Sequence, residues 1–273
     1  PRLIVHIGTM KTGSSAIQRF FARNRAVLPA FGVHYPKAQD AEGRPLEKHA
    51  DLTAALEAEK RSAAAHPTHG TSRDVLARYL DRAAGRRATL LSAERLAAYG
   101  DRAAALFAGV GERFDVRVLV YLRRQDEWAL STYREHVMDP EIAEARPFAA
   151  WLDARDVRDQ MDYEALMAAW RQAVGEQNIR VLRYPQETPL LPAFIRAADL
   201  PRGLLTLPFR GKRVKESVSD DVLFAQLEAN GGGPVRPALT GAERDALMAE
   251  FQPGNYAVKT RFRPELKRLF GMD

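Results

Sequence analysis

The chain has 273 residues, 46% of them hydrophobic and 28% charged; these are proportions of a globular protein with a core of one or two domains, and they exclude wholesale disorder. Lys and Arg total 41 against 35 Asp and Glu, a net charge of +6, compatible with an anionic ligand and too small an excess to single out a nucleic-acid binder. Cysteine is absent, which excludes disulfides, thiolate metal sites and a cysteine nucleophile.

The first element is Leu3–Ile7, a short β-branched run that ends at Gly8 and reads as a buried strand. It is too short for a signal peptide or a membrane span, and no other window approaches one, so a cytoplasmic location is expected. Ile17, Phe20, Phe21 and Val27 predict a helix over Ser14–Leu28. Gly32–Pro36 reads as a second short strand, Lys37–Lys48 as a polar loop, His49–Glu59 as a helix and Arg61–Ser72 as a surface loop. Asp74–Ala84 is a further helix, Ala88–Ser92 a third strand and Asp101–Gly109 a short helix. The clearest strand is Phe114–Leu122, followed by helices at Asp126–Val137 and Asp162–Val174 and a last strand, Ile179–Tyr184, stopped by Pro185.

Alternating strands and helices predict an α/β fold of three layers, a mostly parallel central sheet flanked by helices. After Pro201 the pattern changes to a basic stretch, Arg210–Lys215, and helices near Ser219–Ala229 and Thr240–Phe251, broken at Gly231–Pro234. A single domain is expected, with its core over about residues 1–200 and a helical, basic part over about 201–273.

The loop between the first strand and first helix is Gly8-Thr9-Met10-Lys11-Thr12-Gly13-Ser14-Ser15. A Gly- and hydroxyl-containing turn entering a helix N-terminus can cradle a phosphate: backbone N–H groups point at the anion and Lys11 adds a full charge. Ser14 and Ser15 can cap the helix or donate to an oxyanion. The Walker A pattern does not fit, because Lys11 precedes Gly13; the plain alternative is an ordinary capped turn.

Lys-Thr-Gly-Ser-Ser after a strand ending in His-Ile-Gly resembles the 5′-phosphosulfate loop of the sulfotransferases. A second motif resembles that family too: Arg123, at the end of the Phe114–Leu122 strand, precedes Ser131 by eight residues, beside Tyr133. Arg124 is the rival for Arg123, one residue short in spacing. The resemblance implies a P-loop NTPase-like sulfotransferase fold. It implies a sulfuryl group moved from 3′-phosphoadenosine 5′-phosphosulfate (PAPS) to a hydroxyl or amine, with PAP, the 3′,5′-bisphosphate, as product. Lys11, Thr12, Gly13, Ser14 and Ser15 would hold the 5′-phosphosulfate and Arg123 and Ser131 the 3′-phosphate. Ser92-Ala93-Glu94 and the stretch Arg213–Ser219 are similar to further segments of bacterial and carbohydrate sulfotransferases, Arg213 in a cofactor- and substrate-contacting loop. The acceptor implied is a carbohydrate, glycolipid or small metabolite.

In-line sulfuryl transfer depends on positioning, on charge stabilisation at the leaving phosphate, where Lys11 would act, and on a base for the acceptor. It calls for no metal, and the six histidines are scattered, with His66 and His69 the single close pair, in a loop. Two residues compete for the base: His49, which opens a helix in the segment where related carbohydrate enzymes carry a catalytic Glu, and Glu94, just past the third strand. Lys212, Arg213 and Lys215 are candidates for the 3′-phosphate or an anionic acceptor, or form a solvated basic loop. Trp128, Trp151 and Trp170 read as packing residues. Two other classes stay open: a nucleotide-kinase-like phosphoryl-transfer enzyme, which would need magnesium ligands and a Walker A loop, and a non-catalytic relative that binds the nucleotide.

Overall fold

A computed structural model describes residues 1–208, 219–233 and 238–270. In chain order its elements are β1 (Arg2–Gly8), α1 (Ser14–Arg23), β2 (Val33–His34), β3 (Ala38–Gln39), β4 (Pro45–Leu46), α2 (Ala50–Ser62), α3 (Ser72–Ala83), β5 (Ala88–Ser92), α4 (Gly100–Leu106), β6 (Asp115–Arg123), α5 (Gln125–Met138), α6 (Phe148–Leu152), α7 (Arg155–Met161), α8 (Tyr163–Val174), β7 (Ile179–Tyr184), α9 (Leu190–Ala197), α10 (Asp220–Ala229) and α11 (Gly241–Phe262). They group into two compact units: Pro1–Leu122 with Ala165–Lys212, and Arg123–Glu164 with Arg213–Asp273. The sequence reading sets one boundary near residue 200; here residues 123–164 also group with the C-terminal part.

The first unit is built on a five-stranded sheet in the order β2-β5-β1-β6-β7. β1 lies between β5 and β6, parallel to both, and β2 is parallel to β5, so the expected mostly parallel α/β architecture is present. A central parallel strand is covered on both faces, which is why β1 and β6 read as near-continuous apolar runs; Leu3, Ile4, Val5, Ile7, Val118, Leu119 and Val120 are all buried. Strand order reverses at β1, and in sheets of this kind ligands bind beyond the carboxyl ends of the strands at such a point. One face packs Ile4, Leu90 and Leu119 against Ile17, Phe20 and Phe21 of α1 and Phe194 of α9. Phe21 meets three rings, those of Phe20, Tyr35 and Phe194, at 5.2–5.8 Å, and its burial stabilises the unit by about 1.5–3 kcal/mol.

Local chemistry moves several boundaries. α1 stops at Arg23, earlier than the apolar spacing predicts, because Asn24 turns the chain and its Nδ2 donates to the Phe20 carbonyl at 2.9 Å. The Lys37–Lys48 segment holds a small antiparallel hairpin, β3 with β4, whose tip is bound by Asp40 Oδ1 accepting from the Glu42 and Arg44 N–H groups. β2 pairs with β5 only at Val33↔Ala88 and His34↔Thr89, which leaves the edge of β5 beyond Thr89 to find other partners.

In the second unit, Trp128 and Tyr133 of α5 pack with Phe148 and Trp151 of α6, Leu223 and Leu227 of α10 and Leu247 of α11. Trp128, Trp151 and Trp170 are all fully buried packing residues. α11 continues through Pro253 to Phe262, past the stop expected at Phe251. The turn after that proline is anchored: Asn255 and Gln125 exchange side-chain amide hydrogen bonds at 2.9 and 3.1 Å, both residues buried. Among the described residues, no helix is long and apolar enough to cross a membrane.

Candidate functional site

The loop after β1 is shaped by its own backbone and hydroxyls. Gly8 has φ +109°, and a Cβ placed on it would lie 2.2 Å from the Glu94 carbonyl oxygen. Only glycine fits this close approach, which brings the β1 loop against the chain leaving β5. Thr9 fixes the next step, its N–H and its Oγ1 both donating to the Tyr121 carbonyl, at 2.9 and 3.0 Å. The Thr9 carbonyl accepts in turn from Thr12 Oγ1 at 2.6 Å and Ser14 Oγ at 3.5 Å. Thr12 and Ser14 are buried and hold the loop's shape, while Ser15 is exposed. Lys11 (φ 62°) and Gly13 (φ 80°) bend the chain so that it enters α1 directly. A Cβ on Gly13 would meet Leu190 Cδ2 at 2.7 Å.

No side chain caps the N-terminus of α1, and its first turn holds no acidic residue. The leading N–H groups of a helix have no partner within it. The helix therefore presents uncapped donors and the positive end of its dipole behind a loop that carries Lys11, which suits an oxyanion. The hydroxyls of Thr12 and Ser14, named from sequence as donors to an anion, are turned to the Thr9 carbonyl and build the loop.

His49 is placed differently from a base. Its ring is fully buried. Nδ1 accepts the Ser92 N–H at 2.9 Å, so Nε2 carries the proton and faces the Pro36 carbonyl at 3.2 Å. The His49 N–H donates to the Ser92 carbonyl at 2.9 Å. Backbone and ring together replace the ladder partner that β2 is too short to supply. Rings of Tyr35 and Tyr79 pack edge-on at 4.8 and 4.9 Å. Burial lowers the His49 pKa to about 3, partly offset by its backbone hydrogen bonds. Both ring nitrogens are engaged and neither reaches solvent, so this geometry makes His49 a structural tie and speaks against the base assignment.

Glu94 stands at the carboxyl end of β5 with its side chain 14% exposed. Oε1 accepts from Lys48 Nζ at 2.5 Å and Oε2 from Gln18 Nε2 at 2.5 Å. Burial works against its ionisation, but the Lys48 charge and the two hydrogen bonds outweigh it and hold the pKa below the ordinary glutamate value. Gln18 Nε2 also donates to Ser92 Oγ at 3.2 Å, and Ser92 Oγ meets His6 Nδ1 at 2.8 Å. His6 is fully buried, its pKa lowered to about 4 by desolvation, with the Glu94 charge acting in the opposite direction. Gln18 and Lys48 were not singled out from sequence. The signal for Gln18 is an amide on the face of α1 that carries Ile17, Phe20 and Phe21, where a polar group needs a partner; Lys48 carries none beyond its place before His49.

The second unit holds the other motif. Arg123 ends β6; its carbonyl accepts from Tyr163 Oη at 2.6 Å, and its Nε lies 3.2 Å from Glu127 Oε2. Arg124 makes a bidentate pair with Asp126, both contacts at 2.7 Å, and Arg244 lies 3.2 Å from the same carboxylate. Burial raises the Asp126 pKa, but these arginines more than reverse it. Ser131 is part-buried on α5. Arg213, with Lys212 and Lys215, lies outside the described residues. In the first unit, His66 and His69 stack at 4.4 Å, and His66 Nδ1 accepts the N–H groups of Thr68 and His69, which closes a turn. No group of three or more His, Asp or Glu side chains among the described residues is arranged to hold a metal ion.

No family model matches the sequence, and no curated protein does. The fold is similar to that of a sulfotransferase from Alicyclobacillus acidocaldarius, at 14% identity over 95% of each chain with a TM-score of 0.53. Mouse sulfotransferase SULT7A1, solved in complex with PAP, is matched at 10% identity with a TM-score of 0.39, over 84% of this chain and 63% of that one. The first likeness shows that this chain has a sulfotransferase fold.

Proposed function

We propose that the chain is a sulfotransferase that moves a sulfuryl group from PAPS to a hydroxyl or amine of a carbohydrate, glycolipid or small metabolite. The observation that carries this reading is the uncapped N-terminus of α1 behind the Lys11–Gly13 turn, at the carboxyl end of the central strand. The sulfotransferase fold supports it, since sulfuryl transfer has the same need for an anion cradle. In this reading the N–H groups of Gly13, Ser14 and Ser15 and the Lys11 ammonium hold the 5′-phosphosulfate, and Thr12 keeps the loop in shape. Arg123 and Ser131 take the 3′-phosphate, a role supported by their spacing in sequence and, against Arg124, by the bidentate commitment of Arg124 to Asp126. Arg213 remains a candidate on sequence alone, as does the cytoplasmic location.

The transfer forms a bond between the acceptor oxygen or nitrogen and sulfur and breaks the bond from sulfur to the bridging oxygen. The electron pair leaves on the 5′-phosphate, where Lys11 and the helix N-terminus stabilise it. The acceptor proton passes to a base, and Glu94 is the better candidate: it is ionised, at a strand end and partly open, whereas His49 is sealed by backbone groups.

The test is binding of PAP, read by calorimetry and by thermal unfolding. PAP is expected to raise the unfolding temperature of the wild type, and Lys11→Ala and Arg123→Ala to abolish the rise while leaving the unliganded protein folded. Absence of any PAP binding by the wild type would overturn the reading.

A further inference from the structure

The proposed base is held from two sides, and one holder belongs to the helix that forms the anion cradle. Gln18 lies in the second turn of α1, four residues after Ser14, and is buried. Its amide nitrogen has two protons and meets two acceptors, Glu94 Oε2 and Ser92 Oγ, so both donors are committed. Ser92 Oγ accepts from Gln18 and lies 2.8 Å from His6 Nδ1, within hydrogen-bond reach. His6 Nε2 has no partner and is buried, so the chain of bonds ends there, against the rings of Tyr121 and Phe194. The order Glu94–Gln18–Ser92–His6 thus runs from the partly open carboxylate into the closed centre of the sheet, with β1 and β5 as rigid supports at His6↔Ser92.

We propose that Gln18 is a positioning residue that fixes the Glu94 carboxylate relative to the N-terminus of α1, so that occupation of the anion cradle and the orientation of the base are mechanically linked. The link rests on the sulfotransferase reading for its purpose, and on the Gln18 hydrogen bonds for its existence. A buried amide that donates to Ser92, at the end of β5, and to Glu94, two residues on, fixes one rotamer of Glu94, and positioning of this kind is where in-line transfers gain most. Besides Gln18, the charged or titratable groups facing Glu94 are Lys48 from the chain before α2, His6 from β1 and Tyr35 from the chain after β2. Lys48 holds the other carboxylate oxygen from a more exposed position, 39% accessible, and leaves Oε2 to Gln18.

The experiment is carbon-13 NMR on protein labelled at the glutamate carboxyls, with Glu94 assigned by Glu94→Gln. Gln18→Leu keeps the shape of the side chain and removes the donor. It is expected to move the Glu94 titration midpoint upward by about one pH unit, the equivalent of one hydrogen bond to a charged group. PAP is expected to shift the Glu94 resonance in the wild type and to shift it less than half as far in Gln18→Leu. A structural role alone would raise the midpoint but leave the response to PAP equal in the two proteins. An unchanged midpoint, or an equal response to PAP in both proteins, would overturn the proposal. If Gln18→Leu does not fold, the wild type still decides: its Gln18 amide protons should titrate with the Glu94 midpoint, and protons that do not follow it refute the contact. A wild type that shows the pH coupling and binds no PAP would refute the donor reading and the linkage to the cradle, while leaving Gln18 as the holder of Glu94.

Discussion

Replacing His49 with alanine separates its two readings by stability. In the structure the ring accepts the Ser92 N–H at 2.9 Å and faces the Pro36 carbonyl at 3.2 Å with no exposed surface. His49→Ala leaves the Ser92 N–H buried without a partner, at about 1–3 kcal/mol, leaves the Pro36 carbonyl only its 3.5 Å contact from Arg25, and opens a hole between Tyr35 and Tyr79, whose rings stand 4.8 and 4.9 Å away. The expected loss is about 3–5 kcal/mol, a large part of the stability of an ordinary domain. His49→Asn keeps an acceptor near the Nδ1 position and should recover about 1–2 kcal/mol of that loss. Urea unfolding followed by tryptophan fluorescence reads both values. A partly exposed general base has no such ties, and its truncation shifts stability by no more than about 0.5 kcal/mol. A His49→Ala protein as stable as the wild type would refute the structural assignment and return His49 to the catalytic one.

Acid should destabilise the first unit before carboxylates are titrated. Both His6 (about 4) and His49 (about 3) have folded pKa values below the ordinary 6.5, so their stability is fully present above pH 6.5. Below it, protons bind the unfolded chain and not the folded one, costing on the order of 1 kcal/mol per pH unit for each ring down toward pH 4. Unfolding free energy measured at pH 7 and pH 5 should differ by about 3 kcal/mol, and equal values would refute the burial of the two neutral rings. Gly8→Ala should lose about 3 kcal/mol or more, from the positive φ and from a Cβ 2.2 Å from the Glu94 carbonyl oxygen; an unperturbed melting curve would deny the close approach. Gln125→Leu and Asn255→Leu should each cost about 1–3 kcal/mol by stranding the other amide. The double variant should cost less than the sum of the two, and strict additivity in a double-mutant cycle would refute the coupling.

The difference between what could be read and what could not follows from how far each feature depends on its neighbours in sequence. The runs at β1, β5 and β6 and the Gly-containing turn after β1 are local signals: strands buried on both faces must be apolar throughout, and a tight entry into a helix demands Gly13. The role of His49 depends on something distant, the two-residue length of β2, which leaves Ser92 without a ladder partner on that side of β5. A histidine before an amphipathic helix looks the same whether it faces a substrate or closes a sheet edge. Gln18 was legible in principle, as an amide among Ile17, Phe20 and Phe21, but its partner Glu94 stands 76 residues away, and nothing local names it.

The two adjacent arginines at the end of β6 show the same limit in electrostatic terms. Sequence gives Arg123 and Arg124 equal charge and separates them only by one residue of spacing to Ser131. The structure separates them by what they hold. Arg124 grips Asp126 with two contacts of 2.7 Å in a largely buried setting, and removing either partner there would strand a desolvated charge, at a cost of about 3–5 kcal/mol. The net charge of +6 therefore does not measure what an anion meets: Arg2 and Arg117 are drawn to Asp199, Arg146 to Glu144, and Arg158 to Asp153 and Glu250. In the proposed reading the charge that holds the donor is local, one ammonium at Lys11 and the uncapped end of a helix, and it would act as strongly on a nearby phosphosulfate if the chain were neutral overall, because distant charges are screened beyond roughly 8–10 Å.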